Sequence, residues 1–443
     1  DQYQDNLGVF DVDVYQVSHH GADDDTSDML LDLMSPDMAI ISMGRPDTQK
    51  SFTAWDHGHP RTGLLSVLQD LPFIVMDERD PAKDFLAAKP SDERGLLLLA
   101  QVLHQRDRIE EAVALIAKAL KNQPDNRRLR LQYARFLTIT DRSLAIEQFD
   151  ILRIEQPNDQ EVNFLLALLL LNEGSEGNVE RANLLFTQAS SNPSLRADAQ
   201  FHLGSIADQS GQPAVAIKHY SQVRYGRNYL AAASRLSVLL AQHNNIDSAR
   251  RYLQRLRSEQ PQQAVALFQI ESNLLISAQQ PDQALSILTH GLDAFPNDSQ
   301  LLYARSMLAE QQDNFALAEQ DLRALLAQDQ DNAVALNALG YTMILHADRR
   351  DEAYKLIKRA YLLNPGDPAT IDSMGWVLFQ MDQPDKALEY LQKAYDILPD
   401  PEIASHLGEV HWTLGNREQA LKVWRQGLQQ VPDHPSIIET MER

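Results

Sequence analysis

The stretch IASHLGEVHWTLGNREQALKVWRQGLQQVP, Ile403 to Pro432, decides how most of the chain folds. Its apolar residues recur at helical spacing in two runs, IASHLGEVHWTLG and REQALKVWRQGLQQVP. The polar turn TLGNRE separates the runs, and a proline ends the second because proline cannot continue a helix. Gly408 in the first run and Ala420 in the second are small where two paired helices must approach closely. The stretch therefore predicts one helix pair.

The pair recurs. Alanines in the same place are Ala112, Ala145, Ala182, Ala216, Ala249, Ala284, Ala318, Ala353, Ala387 and Ala420, at spacings of 33 to 37 residues. Pro124, Pro157, Pro261, Pro296, Pro365, Pro399 and Pro432 fall on the same grid, and Gly204, Gly340 and Gly375 repeat the part of Gly408. No single pair can bury its apolar face, so neighbours must stack into a continuous core. A period near 34 residues resembles that of tetratricopeptide repeat proteins. The expected fold is mostly α, an α-solenoid of about ten such pairs over residues 95–443. LLNEGSEGNVERA (Leu170–Ala182) and ILHADRRDEA (Ile344–Ala353) carry extra residues, expected in inter-helix turns. HPSIIETMER (His434–Arg443) is expected to be a partial capping helix or the start of an interrupted pair.

The resemblance implies binding of protein or peptide partners on a concave face built from the first helices. Setting each first helix by its small-residue position puts Asn337, Tyr341, Asp372, Trp376, Phe379, Glu409 and Trp412 toward that face, where the aromatics could anchor an apolar or extended peptide. Phe379 and Trp412 fit the inter-repeat core equally well. The lysine–asparagine clamp of chaperone-binding repeats is not matched, since Asn337 has no lysine beside it. NALGY, NPGDPA and DSMGWV, within Ala333–Ala394, resemble the repeat lipoproteins of Gram-negative envelopes. Among these is the adaptor that activates a periplasmic C-terminal processing protease. That likeness implies an adaptor in the bacterial periplasm or envelope rather than the cytoplasm, although the lipidated cysteine of such proteins is absent.

The totals agree with an extended array. At 443 residues and 44% apolar content, the chain exceeds one compact core. It has no cysteine, which excludes disulfides and thiolate metal sites. The longest apolar run, Phe164 to Leu171, is too short to span a bilayer. The net charge is −22, and residues 1–89 alone hold 17 acidic and 6 basic side chains, so bulk nucleic-acid binding is not expected. No signal peptide is visible before Asp1, and a processed form or a fragment is expected.

Residues 1–80 read differently. VFDVDVYQVS, MAIISMG and PFIVMD are predicted strands, and TSDMLLDLM and RTGLLSVLQD predicted helices, giving a small α/β segment. Residues 81–94 form a charged, proline-bearing linker. YQVSHHGADDDTS, PDMAIISMG and TAWDHGHPR resemble the C-terminal half of a metallo-β-lactamase fold of the DNA-uptake competence type. This likeness implies His19, His20 and His59 as metal ligands or phosphate contacts, for zinc or manganese, in phosphodiester or related hydrolysis. The family's other two metal motifs are absent, so no cofactor and no activity are expected of the chain as it stands. As an alternative, His19 and His20 are loop residues that cap the following helix, and Asp23, Asp24 and Asp25 complement its N-terminus without a metal. Two readings remain: a scaffold or adaptor, and the C-terminal part of a metal-dependent hydrolase carrying a repeat array.

Overall fold

A computed structural model describes residues 15–17, 39–42, 73–76, 93–346 and 349–442. They belong to two compact units, Asp1–Ile206 and Ala207–Arg443.

In the first unit, β1 (Tyr15–Val17), β2 (Ala39–Ser42) and β3 (Phe73–Met76) pair in parallel in that order. Tyr15 lies opposite Ala39, and Ala39 opposite Phe73. The helices expected between the strands lie outside the described residues, as do His19, His20 and His59.

The remainder is helical, with 21 α-helices between Glu93 and Glu442. Three pairs lie in the first unit, from Glu93–Gln105 with Ile109–Asn122 to Gln160–Glu173 with Glu176–Ala189. Six lie in the second, from Tyr229–His243 with Ile246–Glu259 to Pro401–Thr413 with Arg417–Gln430, followed by the short helix Pro435–Glu442. Arg196–Gln209 and Pro213–Tyr220 stand between the two sets in sequence. The last helix seats Ile437, fully buried, against Gly427.

The periodic residues have physical tasks. All ten grid alanines are 0% exposed. The residue four positions after each alanine is large and buried, as with Ile116, Phe149, Leu253, Leu322 and Trp424. After Pro124, Pro157, Pro296, Pro365 and Pro399 an Asp or Asn one or two residues later caps the next helix. Asp159 accepts from the Val162 amide at 3.1 Å, Asp298 from Leu301 at 2.9 Å and Asp367 from Thr370 at 2.8 Å. Each such cap contributes about 1 kcal/mol. Several inter-helix turns use one left-handed residue, a glycine at Gly174, Gly211 and Gly415 and a non-glycine at Asp107, Gln279, Asp313 and Asp382.

One expectation is corrected. The extra residues of Leu170–Ala182 do not lengthen a turn. Only Gly174 and Ser175 separate Gln160–Glu173 from Glu176–Ala189, and Ala182 is the seventh residue of its helix instead of the fourth. Three added residues make nearly one helical turn, so the alanine returns to almost the same face while the backbone amides stay bonded.

Candidate partner-binding surface

The candidate surface lies on three first helices of the second unit, Ala333–His346, Pro368–Gln380 and Pro401–Thr413. Each is positioned by a glycine. A methyl group added at Gly340 would lie 2.5 Å from Ile357 Cγ1, one at Gly375 2.6 Å from Leu391 Cγ, and one at Gly408 2.1 Å from Trp424 Nε1. The second helices therefore rest almost directly on the backbone of the first. Trp424 then donates Nε1–H to the Ser405 carbonyl at 3.2 Å.

At the centre is a residue the sequence reading passed over, His406. It is buried, and its Nδ1 lies 3.0 and 2.9 Å from the two carboxylate oxygens of Asp372, one repeat earlier. Trp376 stacks on the imidazole at 4.1 Å between ring centres and 19° between planes. Phe379 lies 5.3 Å beyond Trp376, and the Tyr341 hydroxyl is 3.4 Å from His406 Nε2. Glu402 Oε1 stands 3.9 Å from the same nitrogen. Burial alone would lower the imidazole pKa, but the charges of Asp372, Glu402 and Glu409 and the hydrogen bond to Asp372 outweigh it and raise it. Burial, reinforced by Glu402, Asp372 and Glu310, raises the Tyr341 phenol pKa, so this hydroxyl remains protonated. Burial likewise raises the Glu310 carboxyl, against a hydrogen bond from Thr342 that lowers it.

The structure thus gathers Tyr341, Asp372, Trp376 and Phe379 around one imidazole, and separates them by depth. Asp372 and Trp376 are buried, at 6% and 7% exposure, whereas Tyr341, Phe379, Asn337 and Glu409 are half-buried. Asn337 Oδ1 and Trp376 Nε1 are buried without a hydrogen-bond partner. Trp412 stands apart at 40% exposure, its ring 5.8 Å from Trp424 and covered by the Arg417 guanidinium at 4.8 Å. His406 was legible only as a histidine one repeat period after an aspartate. Among the described residues no group of three or more His, Cys, Asp or Glu side chains could hold a metal, and no helix is long and apolar enough to cross a membrane.

Residues 93–136, 271–333 and 372–401 match tetratricopeptide repeat family models, all beyond the first ninety residues. A TPR repeat-containing protein of Pseudomonas aeruginosa is 42% identical over 211 residues, which is 48% of this chain and 36% of that protein. The chain thus spans little more than a third of that relative's length. Among solved structures, a thermophilic TPR protein of Thermus thermophilus is 22% identical over 39% of this chain and 94% of its own, with a TM-score of 0.35. A tetratricopeptide repeat protein of Parabacteroides merdae is 15% identical over 56% of this chain and 97% of its own, with a TM-score of 0.43.

Proposed function

We propose that this chain, which is a tetratricopeptide repeat protein, acts as an adaptor whose last three complete units capture an extended, partly apolar segment of a partner protein. One observation carries the reading: an aromatic platform already fixed in place. Trp376 is clamped between His406 and Phe379, and Asp372 fixes His406, so the half-buried edges of Tyr341 and Phe379 lose little freedom when a partner docks. Trp412 adds exposed apolar area, and Glu409 and Asn337 supply polar groups beside it. Asp372 and Trp376 act beneath this surface as positioning residues.

The likeness of Ala333–Ala394 to envelope lipoprotein adaptors supports a bacterial setting outside the cytoplasm, and the Pseudomonas relative is compatible with it. The metallo-β-lactamase resemblance of residues 1–80 stands only on their sequence, and no described residue favours the hydrolase reading.

The test uses the full chain immobilised against a periplasmic extract of a Gram-negative bacterium, with captured proteins identified by mass spectrometry. A protein retained by the native chain should be lost from Trp412→Ala/Phe379→Ala and kept by Leu362→Ala, a control at another exposed apolar residue. Equal retention by all three chains would remove the C-terminal surface from the reading.

A further inference from the structure

A second site lies elsewhere in the same unit. The helix Ile246–Glu259 buries Ala249, Leu253 and Leu256 on one face. Its other face carries Asp247, Arg250, Arg251, Gln254, Arg257 and Ser258, which line a cleft of about 650 Å³. Phe268 and Glu271 on Ala264–Ser277, with Ile287 and His290 on Pro281–Ala294, form the opposite wall.

The charges in this cleft do not cancel. Glu271 is 2% exposed and takes two arginines, Arg250 Nε at 2.9 Å and Arg257 Nη1 at 2.6 Å. Another deeply buried carboxylate of the same unit, Asp321, is satisfied by Arg305 alone, with two bonds of 2.8 Å. Arg251 adds a third guanidinium whose hydrogen bond is to the Ser248 hydroxyl at 3.1 Å, with no carboxylate partner among the described residues. Three arginines against Asp247 and Glu271 leave the lining positive, in a chain of net charge −22. The two inner arginines are also held in place. Arg257 lies 4.3 Å over the Phe268 ring, and Arg250 reaches Gln283 at 2.8 Å, so their unused N–H groups present a fixed fork.

We propose that this cleft binds a short acidic peptide segment of a partner protein, with carboxylates received by Arg251 at the rim and by the free donors of Arg250 and Arg257. Guanidinium and carboxylate match in a planar, two-bond geometry, and a cleft of this volume takes a few residues. The proposal rests on the adaptor reading only in that the ligand is a peptide. Its failure would leave capture at the C-terminal units untouched, and that is measured separately.

The experiment is a fluorescence-anisotropy titration of the full chain with fluorescein-labelled hexaglutamate, and with hexaglutamine as the uncharged counterpart. The native chain should bind the glutamate peptide saturably, more weakly as salt is raised, and should not bind the glutamine peptide. Arg251→Glu should weaken binding at least about tenfold, the loss of one charge-assisted contact, with an unchanged melting curve because Arg251 is exposed. Arg359→Glu, at an exposed arginine elsewhere in the unit, should bind as the native chain does. The proposal is overturned by any of four results: no saturable binding, equal binding of both peptides, equal weakening by both variants, or displacement by inorganic phosphate at concentrations equal to the peptide's.

Discussion

At the repeat position that Gly340, Gly375 and Gly408 occupy on their first helices, the two compact units use different side chains. The Asp1–Ile206 unit has Ala100, Ala134, Ala167 and Gly204. The Ala207–Arg443 unit has Ser237, Ser272 and Ser306, then Gly340, Gly375 and Gly408. All ten are buried, so the position requires smallness rather than glycine. At Gly340, Gly375 and Gly408 glycine is required because the second helix places Ile357, Leu391 or Trp424 directly on the backbone. The units also differ in where they keep charge. The first ties neighbouring repeats with part-exposed pairs such as Arg127–Asp159, Arg135–Glu161 and Arg181–Asp150. The second buries Glu271, Asp321 and Asp372 with their partners. Exposed pairs contribute little and are screened by salt, whereas a buried charge depends on its partner.

This contrast can be broken in order of expected effect. Asp372→Ala removes the partner of a buried imidazole and should cost about 4 kcal/mol in chemical denaturation followed by circular dichroism. It should also change the pH dependence. Because the folded-state pKa of His406 is raised above its ordinary value near 6.5, its stabilisation is complete below that value and is lost as pH rises through the folded one. The native chain should therefore lose stability through this group as pH rises above its ordinary value near 6.5, and the variant should lose less. An identical pH profile would show that Asp372 does not set the charge of His406.

Gly408→Ala comes next. The added methyl would meet the Trp424 ring at 2.1 Å, and overpacking of this kind should cost about 3 kcal/mol, with the tryptophan emission shifted as Trp424 moves. In the other unit the reverse change, Ala134→Gly, should cost only about 1 kcal/mol, the difference in helix propensity, because no large side chain needs the space. A larger loss from Ala134→Gly than from Gly408→Ala would refute the packing distinction between the units. The smallest effect is expected at Arg135→Gln, about 0.5 kcal/mol in thermal melts and less in high salt, since its pair with Glu161 is exposed.

The candidate surface was only partly legible. Helical spacing placed Tyr341, Asp372, Trp376 and Phe379 on one side of neighbouring helices, and the structure does bring them together. It could not show that Trp376 lies under His406 rather than at the open edge, because the stacking partner sits on another helix. The arginine cleft was missed because Arg250 and Arg257 gain meaning only from Glu271, which reaches them across the packing of two helices. Nor did the pattern distinguish an insertion that lengthens a turn from one that adds a helical turn, as at Ala182.

The sequence by itself determined that helix pairs repeat along the chain and which small residue recurs in each of them. These depend on local spacing, on proline and capping chemistry, and on a repeat that states its own period. Only the tertiary structure decided which aromatic rings are buried, which carboxylates are paired and where positive charge accumulates. In a stacked array each first helix packs against its own partner and against its neighbours, so most of its circumference carries apolar residues. The edge left open is set by how successive pairs rotate against one another, and the period does not record that rotation.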